Sequence, residues 1–114
     1  MKEKLIQEYQ DIIFGDLCLC GCGEPEATLQ MILEYLNLEK IYRNDDMEYE
    51  VYKDLKEEFI ENYKEYLFLY MLYVLNENEI LDHGSSVYAS WLTDKGKRLL
   101  ELSEEVAIDE VFRN

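Results

Sequence analysis

The sequence predicts a mainly α-helical domain with one small β-hairpin near residues 80–91. From Glu26 to His83 there is neither glycine nor proline, and the apolar residues of this stretch recur at spacings of three and four. After it, two short runs with strand character flank a turn-like segment and precede a last amphipathic pattern. The 114 residues suffice for a single domain, residues 1–114, with four or five helices.

The charge of the chain limits its partners. Twenty-six acidic residues against eleven basic ones give a formal net charge of −15, which repels phosphate backbones and anionic membranes. We therefore expect a protein partner, and neither direct DNA binding nor membrane contact. No secretion signal is evident at the N-terminus, and the longest apolar run, residues 66–75, is half the length that a bilayer requires. A cytoplasmic protein is expected.

Two helices are predicted in the N-terminal third. The first covers about residues 2–14 and ends at Gly15, with five apolar side chains on one face: Leu5, Ile6, Tyr9, Ile12 and Ile13. The second begins at Pro25, a residue favoured in the first helical turn, and ends near Tyr42.

Between these helices, all three cysteines of the chain lie within five residues, at Cys18, Cys20 and Cys22. With His83 they offer the sulfur and nitrogen ligands of a tetrahedral zinc site, or one of them is an activated thiol. Zinc knuckles usually separate paired cysteines by two or more residues, whereas here one residue separates them. We therefore favour a tight turn with small buried thiols and no cofactor, and keep zinc as an alternative.

An acidic segment opens the middle of the chain. Asp45 and Glu48 have the spacing of a capping box and predict the start of a third helix. The acidic residues that follow form either an ordinary solvated helix face or a docking surface for a basic partner. The candidate partner-binding residues are Asp45, Asp46, Glu48, Glu50, Asp54, Glu57, Glu58 and Glu61.

Aromatic and apolar residues follow at helical spacing and predict one continuous stripe: Tyr52, Leu55, Phe59, Tyr63, Tyr66, Tyr70 and Tyr73. Residues 66–75 are apolar all round, so we expect a helix buried on every side at the centre of the domain. In the alternative, part of the stripe forms an interface with a partner or a second copy of the chain. The candidate interface residues are Tyr63, Tyr66, Tyr70 and Tyr73.

The last third predicts a hairpin and a helix. Residues 76–79 end the preceding helix, and residues 80–82 and 87–92 are candidate strands around a turn. Thr93 can cap a final helix that runs to Leu102 and breaks or bends at Ser103. The order of helix, hairpin and helix is that of a winged-helix module.

Two segments resemble known families. Residues 92–100, Leu-Thr-Asp-Lys-Gly-Lys-Arg-Leu-Leu, resemble the segment that follows the wing in many winged-helix proteins of bacteria and phages. That resemblance implies a winged-helix-like C-terminal half, with the recognition helix on about residues 63–75. Residues 21–26, Gly-Cys-Gly-Glu-Pro-Glu, resemble a segment of small phage and prophage proteins. In the winged-helix interpretation DNA would be contacted by Lys64 and by the basic cluster of Lys95, Lys97 and Arg98, which is small against the surrounding acidic residues.

We expect a non-enzymatic protein, because the sequence has one histidine and none of the common phosphate-loop, metalloprotease or serine-hydrolase motifs. The expected function is that of an acidic, protein-binding phage or prophage accessory protein. It would inhibit a host nucleic-acid-processing or defence protein by presenting acidic residues to a basic groove. The alternatives are a small winged-helix or zinc-stabilised transcriptional regulator and a structural homo-oligomer, such as a homodimer, built on the tyrosines.

Overall fold

A computed structural model describes residues 2–19, 24–44, 47–85 and 90–112. It is mainly helical with one small antiparallel hairpin, which confirms the predicted fold class. The elements are α1 (Lys2–Gln10), a π-helical turn (Asp11–Asp16), α2 (Pro25–Asn44), α3 (Tyr49–Tyr63), α4 (Glu65–Glu77), β1 (Leu81–His83), β2 (Ser90–Leu92), α5 (Asp94–Glu105) and α6 (Ile108–Val111). None of the helices in the described ranges is long and apolar enough to cross a bilayer.

A single cluster of buried side chains joins these elements, with α2 packed against α3, α5 and α6. Each helix contributes apolar residues at helical spacing, so the core arises from amphipathic faces that meet. The fully buried members with the largest side chains include Tyr9, Ile13, Leu29, Tyr35, Leu36, Phe68, Leu72, Leu75, Leu99 and Leu102.

The ends of the first two helices differ from the prediction. The first α-helix ends at Gln10, before Gly15, and the chain continues past Gly15 as a π-helical turn whose Leu17 amide donates to the Ile12 carbonyl at 2.9 Å. The left-handed residue after this turn is Cys18, with φ 54°. The second helix begins at Pro25, as predicted, and continues two residues past Tyr42.

The aromatic pattern in the middle of the chain is divided between two helices. The third helix begins at Tyr49, later than predicted, and an extended Glu48 precedes it. Lys64, with φ 71° and ψ 143°, separates α3 from α4, so the prediction of one continuous aromatic stripe is wrong. A non-glycine residue with positive φ costs on the order of 1–3 kcal/mol. The burial of Phe59 and Phe68 on either side, with ring centroids 5.9 Å apart, offsets that cost.

The hairpin and the last long helix form where the sequence predicts them. Leu81 pairs with Leu92 in an antiparallel register, and residues 86–89 lie outside the described ranges. The Thr93 hydroxyl oxygen accepts a hydrogen bond from the Gly96 amide at 3.1 Å, which confirms the predicted cap. A Cβ atom on Gly96 would collide with the Ile80 carbonyl, so glycine is required there. The helix does not break at Ser103 but continues to Glu105.

Candidate functional site

Three tyrosines on α4 point away from the core. Tyr66, Tyr70 and Tyr73 are 67%, 70% and 55% exposed and share one side of the helix, whereas Phe68 and Leu72 on the opposite side are fully buried. The prediction that this segment is buried on every side is therefore wrong for the single chain. We name these three residues the tyrosine stripe. Large aromatic side chains gathered on one exposed helix side are typical of a contact surface.

Tyr63, the fourth tyrosine of the predicted interface, has a different role. It is half-buried at the end of α3, and its hydroxyl donates to a Glu34 carboxylate oxygen at 2.7 Å. This hydrogen bond raises the pKa of Tyr63. The ring also packs on Phe59, with centroids 4.8 Å apart. Tyr63 thus attaches α3 to α2 and does not belong to the tyrosine stripe.

An apolar groove adjoins the tyrosine stripe at Tyr70. It has a volume of about 240 Å³ and lies between the chain segment before α2, α2 itself and α4. Its apolar lining includes Leu17, Leu19, Met31, Ile32 and Met71. The exposed aromatic surface of α4 therefore continues into a concave apolar surface.

The acidic residues of α3 form a stripe of their own. Glu50, Asp54, Glu57 and Glu61 follow each other at spacings of four, three and four residues, and all four are exposed. None of the four forms an ion pair with a residue in the described ranges. We name them the acidic stripe. Of the other predicted partner-binding residues, Glu48 and Glu58 are also exposed, and Asp45 and Asp46 lie outside the described residues.

A buried carboxylate, which the sequence interpretation missed, fixes α3 on α2. Glu39 of α2 is fully buried and accepts a hydrogen bond from the Tyr52 hydroxyl of α3. Its other carboxylate oxygen and the buried Tyr35 hydroxyl have no hydrogen-bond partner among the described residues. Glu39 follows Tyr35 by four residues on the apolar side of α2, and this spacing could have predicted its burial.

Aromatic and basic groups surround this carboxylate. The Tyr42 ring stacks on the Tyr52 ring with centroids 4.0 Å apart, and Lys56 Nζ lies 3.4 Å from the Tyr52 hydroxyl oxygen. Burial, together with the Glu39 charge, raises the pKa of both Tyr35 and Tyr52. Burial lowers the pKa of Lys56. The contacts hold the Tyr52 side of α3 inward, so the acidic stripe on the opposite side faces outward.

The basic cluster of α5 is largely neutralised. Lys95 Nζ lies 2.6 Å from an Asp16 carboxylate oxygen, and Arg98 forms two hydrogen bonds of 2.6 and 2.8 Å with Glu8. The Arg98 hydrogen bond lowers the pKa of Glu8. Lys97 is exposed and has no ion pair with any described residue. Two of the three basic residues thus act within the fold.

The predicted zinc ligands are not brought together by the described part of the chain. Cys18 is exposed, and Cys20 and Cys22 lie outside the described residues. His83 Nδ1 lies 2.7 Å from the Asn76 side-chain oxygen, so one ring nitrogen already has a hydrogen-bond partner. Within the described ranges no three Cys, His, Asp or Glu side chains form a group that could hold a metal ion.

Comparison with known proteins found no matching family model, no similar curated protein and no similar solved structure. The surfaces of the chain itself must therefore indicate its function. Among those described above, the tyrosine stripe and the acidic stripe lie on consecutive helices, and both are exposed.

Proposed function

We propose that this chain is a non-enzymatic protein that binds a basic protein partner through α3 and α4. The observation that carries the proposal is the exposure of Tyr66, Tyr70 and Tyr73 on a helix whose opposite side is in the core. Tyrosine is enriched in protein interfaces because it buries a large area at a low entropic cost and keeps a polar tip. Its ring also attracts the guanidinium group of arginine.

The acidic stripe supports a partner of opposite charge. Its four carboxylates have no ion pair with the described residues, so a basic surface can approach without displacing an internal cation. Such a surface steers association and contributes more to on-rate and specificity than to affinity. A row of carboxylates also resembles nucleic-acid phosphates in charge. The partner we propose is a host nucleic-acid-processing or defence protein, and the chain would act there as a phage or prophage accessory inhibitor.

Two observations favour a protein partner over DNA. The helix at the expected recognition position, α4, exposes tyrosines rather than the arginine, lysine or asparagine side chains that contact bases. Lys95 and Arg98 are engaged in ion pairs with Asp16 and Glu8. A DNA-binding regulator would therefore have few free basic groups with which to offset the net charge of −15.

A homodimer is the second candidate, favoured by the apolar groove next to Tyr70. A second copy could insert part of its own tyrosine stripe into this groove, which would cover apolar surface on both chains. Like-charged acidic stripes oppose such pairing if they face each other. We therefore place the homodimer after the basic partner.

The test is affinity capture from bacterial lysate with quantitative mass spectrometry on three variants. One changes Glu50, Asp54, Glu57 and Glu61 to lysine, and a second changes Tyr66, Tyr70 and Tyr73 to alanine. The control changes four exposed acidic residues outside α3 to lysine, Glu3, Glu24, Glu26 and Glu105, and has the same formal charge as the first variant. We expect the wild type to capture a basic protein. The captured amount of this protein should be at least about tenfold lower with the first two variants and unchanged with the control.

Two results would contradict the proposal. If the α3 variant and the control lose the partner equally, binding depends only on the total charge of the chain. If the tyrosine variant captures as much partner as the wild type, α4 does not belong to the interface. Light scattering of the purified protein distinguishes the homodimer from the basic-partner proposal, because it measures the mass of the protein in solution. A dimer mass that falls to the monomer mass when the tyrosine stripe is removed would favour self-association instead.

A further inference from the structure

A cavity of about 350 Å³ lies away from the tyrosine stripe, between the C-terminal part of α2, strand β2 and α5. Its walls are Lys40 and Arg43 from α2, Trp91 and Leu92 from β2, and Lys97 and Glu101 from α5. Volumes of about 300–1,000 Å³ are usual for small-molecule sites, so the cavity is large enough for a small ligand.

The charge of this cavity is opposite to that of the chain. Of the six lining residues that the structure describes, three are basic, although basic residues make up fewer than a third of the charged side chains. Glu101, the acidic residue of this described lining, accepts a hydrogen bond from Arg98 Nη1 at 3.1 Å. A cationic cavity on a strongly acidic protein attracts small anions that the rest of the surface repels.

Arg43 and Lys97 have no carboxylate partner among the residues that the structure describes. Neither Arg43 nor Lys97 forms an ion pair with a residue in the described ranges, and the Arg43 guanidinium lies over the Tyr42 ring at 5.5 Å. Lys40 reaches Glu104 at 3.4 Å, which is long for an ion pair. In a chain with 26 acidic residues, these basic side chains are left able to bind an external anion.

The cavity also has an aromatic wall. Trp91, the single tryptophan of the chain, is 40% exposed on the outer face of the hairpin, and Leu92 adds apolar surface beside it. An exposed indole ring provides a flat surface on which a planar ring can stack, and such stacking with nucleic-acid bases does not depend on the base.

We propose that this cavity binds a nucleoside phosphate, with the base on Trp91 and the phosphate groups between Arg43 and Lys97. Arginine and lysine together supply the bidentate and the point-charge contacts that phosphates require. A nucleic-acid polymer is disfavoured, since it would extend beyond the cavity over a chain whose formal net charge is −15. The proposal does not depend on the partner surface of α3 and α4, because none of the lining residues belongs to those helices.

The experiment uses the fluorescence of Trp91, which reports on this cavity alone because the chain has no other tryptophan. The purified full-length chain is titrated with ADP, with adenosine and with inorganic phosphate, and the signal is corrected for absorption by the nucleotide. We expect saturable quenching by ADP and at least about tenfold weaker binding of adenosine and of phosphate, since each lacks one of the two contacts.

Single substitutions locate the site. Lys97→Gln and Arg43→Gln should each weaken ADP binding about five- to tenfold, because each removes a charge-assisted hydrogen bond to phosphate. Lys53→Gln changes an exposed lysine of α3 that lies outside the cavity and should leave the affinity unchanged. Trp91→Phe, measured by calorimetry, should weaken ADP binding and leave phosphate binding unchanged. Circular dichroism confirms that each variant is folded.

Three results would overturn the proposal. ADP that causes no saturable change at millimolar concentration would show that the cavity holds no nucleoside phosphate. Equal affinities for phosphate and ADP would show that the base does not stack on Trp91. Equal losses with Lys53→Gln and Lys97→Gln would show that ADP responds to total charge rather than to this cavity.

Discussion

Helices α3 and α4 place their outward residues at the same spacing but with different chemistry. On α3 the positions are Glu50, Asp54, Glu57 and Glu61, and on α4 the equivalent positions are Tyr66, Tyr70, Tyr73 and Glu77. Carboxylates on an outward helix side are the normal state of a soluble protein. Three exposed tyrosines on the next helix are not, because each leaves a large apolar area in water. The comparison therefore shows that the tyrosine stripe, and not the acidic stripe, is the unusual surface on these two helices.

The inward sides of the two helices differ as well. Helix α4 is held by apolar side chains, of which Phe68 is fully buried and meets the Tyr35 ring at 5.3 Å between centroids. Helix α3 is held partly by a polar contact, the hydrogen bond from Tyr52 to the buried Glu39. Because α4 is fixed by its core side, its tyrosines cannot turn inward without loss of that packing.

The largest expected effect contrasts the two sides of α4. Phe68→Ala should lower the free energy of unfolding by about 3–5 kcal/mol, since it leaves a cavity against Tyr35 and Phe59. Tyr70→Ala, two residues along the same helix but 70% exposed, should change it by less than about 0.5 kcal/mol. Urea denaturation followed by circular dichroism measures both. A loss above about 2 kcal/mol for Tyr70→Ala would show that the tyrosine stripe is structural in the single chain.

An intermediate effect is expected on the inward side of α3. Tyr52→Phe removes the one hydrogen bond that Glu39 receives from the described residues and should destabilise the fold by about 1–3 kcal/mol. Tyr49→Phe is the matched control, because Tyr49 is 62% exposed, and it should cost less than about 0.5 kcal/mol. Equal effects of the two substitutions in urea denaturation would mean that the buried contact contributes nothing.

The same variant has an expected pH dependence. Burial and Glu39 raise the pKa of Tyr52 above its ordinary value of about 10, so the unfolded chain loses this proton first as the pH rises. The stabilising contribution of Tyr52 should therefore be fully present below about pH 10 and be lost above it. The free energy of unfolding of Tyr52→Phe should decrease less steeply with pH than that of the wild type. Unfolding measured at about pH 8 and about pH 11 gives both slopes. If the stability of the variant and of the wild type falls equally between these pH values, Tyr52 does not contribute to the pH dependence.

The smallest effect is expected on the acidic stripe. Glu57→Gln relieves repulsion from Asp54 and Glu61 and should raise stability by a few tenths of a kcal/mol, about 0.2–0.5. The gain should disappear in high salt, which screens exposed charges. Thermal unfolding at low and high salt measures it, with Glu105→Gln as the control outside α3. A gain that persists in high salt would indicate a cause other than charge repulsion.

Much of the fold could be predicted from the sequence because many of its helix and strand boundaries follow common local preferences. Pro25 opens α2, Thr93 caps α5, and the hairpin pairs Leu81 with Leu92, each from chemistry within a few residues. The failures arise where the chain departs from the commonest local geometry. A π-helical turn carries the chain past Gly15, and a positive φ at Lys64 interrupts a pattern that periodicity alone extends without a break.

The candidate sites divide in the same way. Spacing alone placed Tyr66, Tyr70 and Tyr73 on one side of a helix, as it did the acidic residues of α3. It could not show which side of α4 would meet the core, because ten consecutive apolar residues give no polar side to orient the helix. It also joined Tyr63 to a stripe from which Lys64 separates it.

The sequence by itself determined the helical class, the position of the hairpin, the N-terminal cap of α5 and the excess of negative charge, since these depend on composition and on contacts between near neighbours. The tertiary structure decided which tyrosines remain in water, that the Tyr52 hydroxyl meets Glu39, and that Lys40, Arg43, Trp91 and Lys97 line one cavity. These features depend on residues of different elements that meet only when the helices and the hairpin pack together, and no local spacing encodes that meeting.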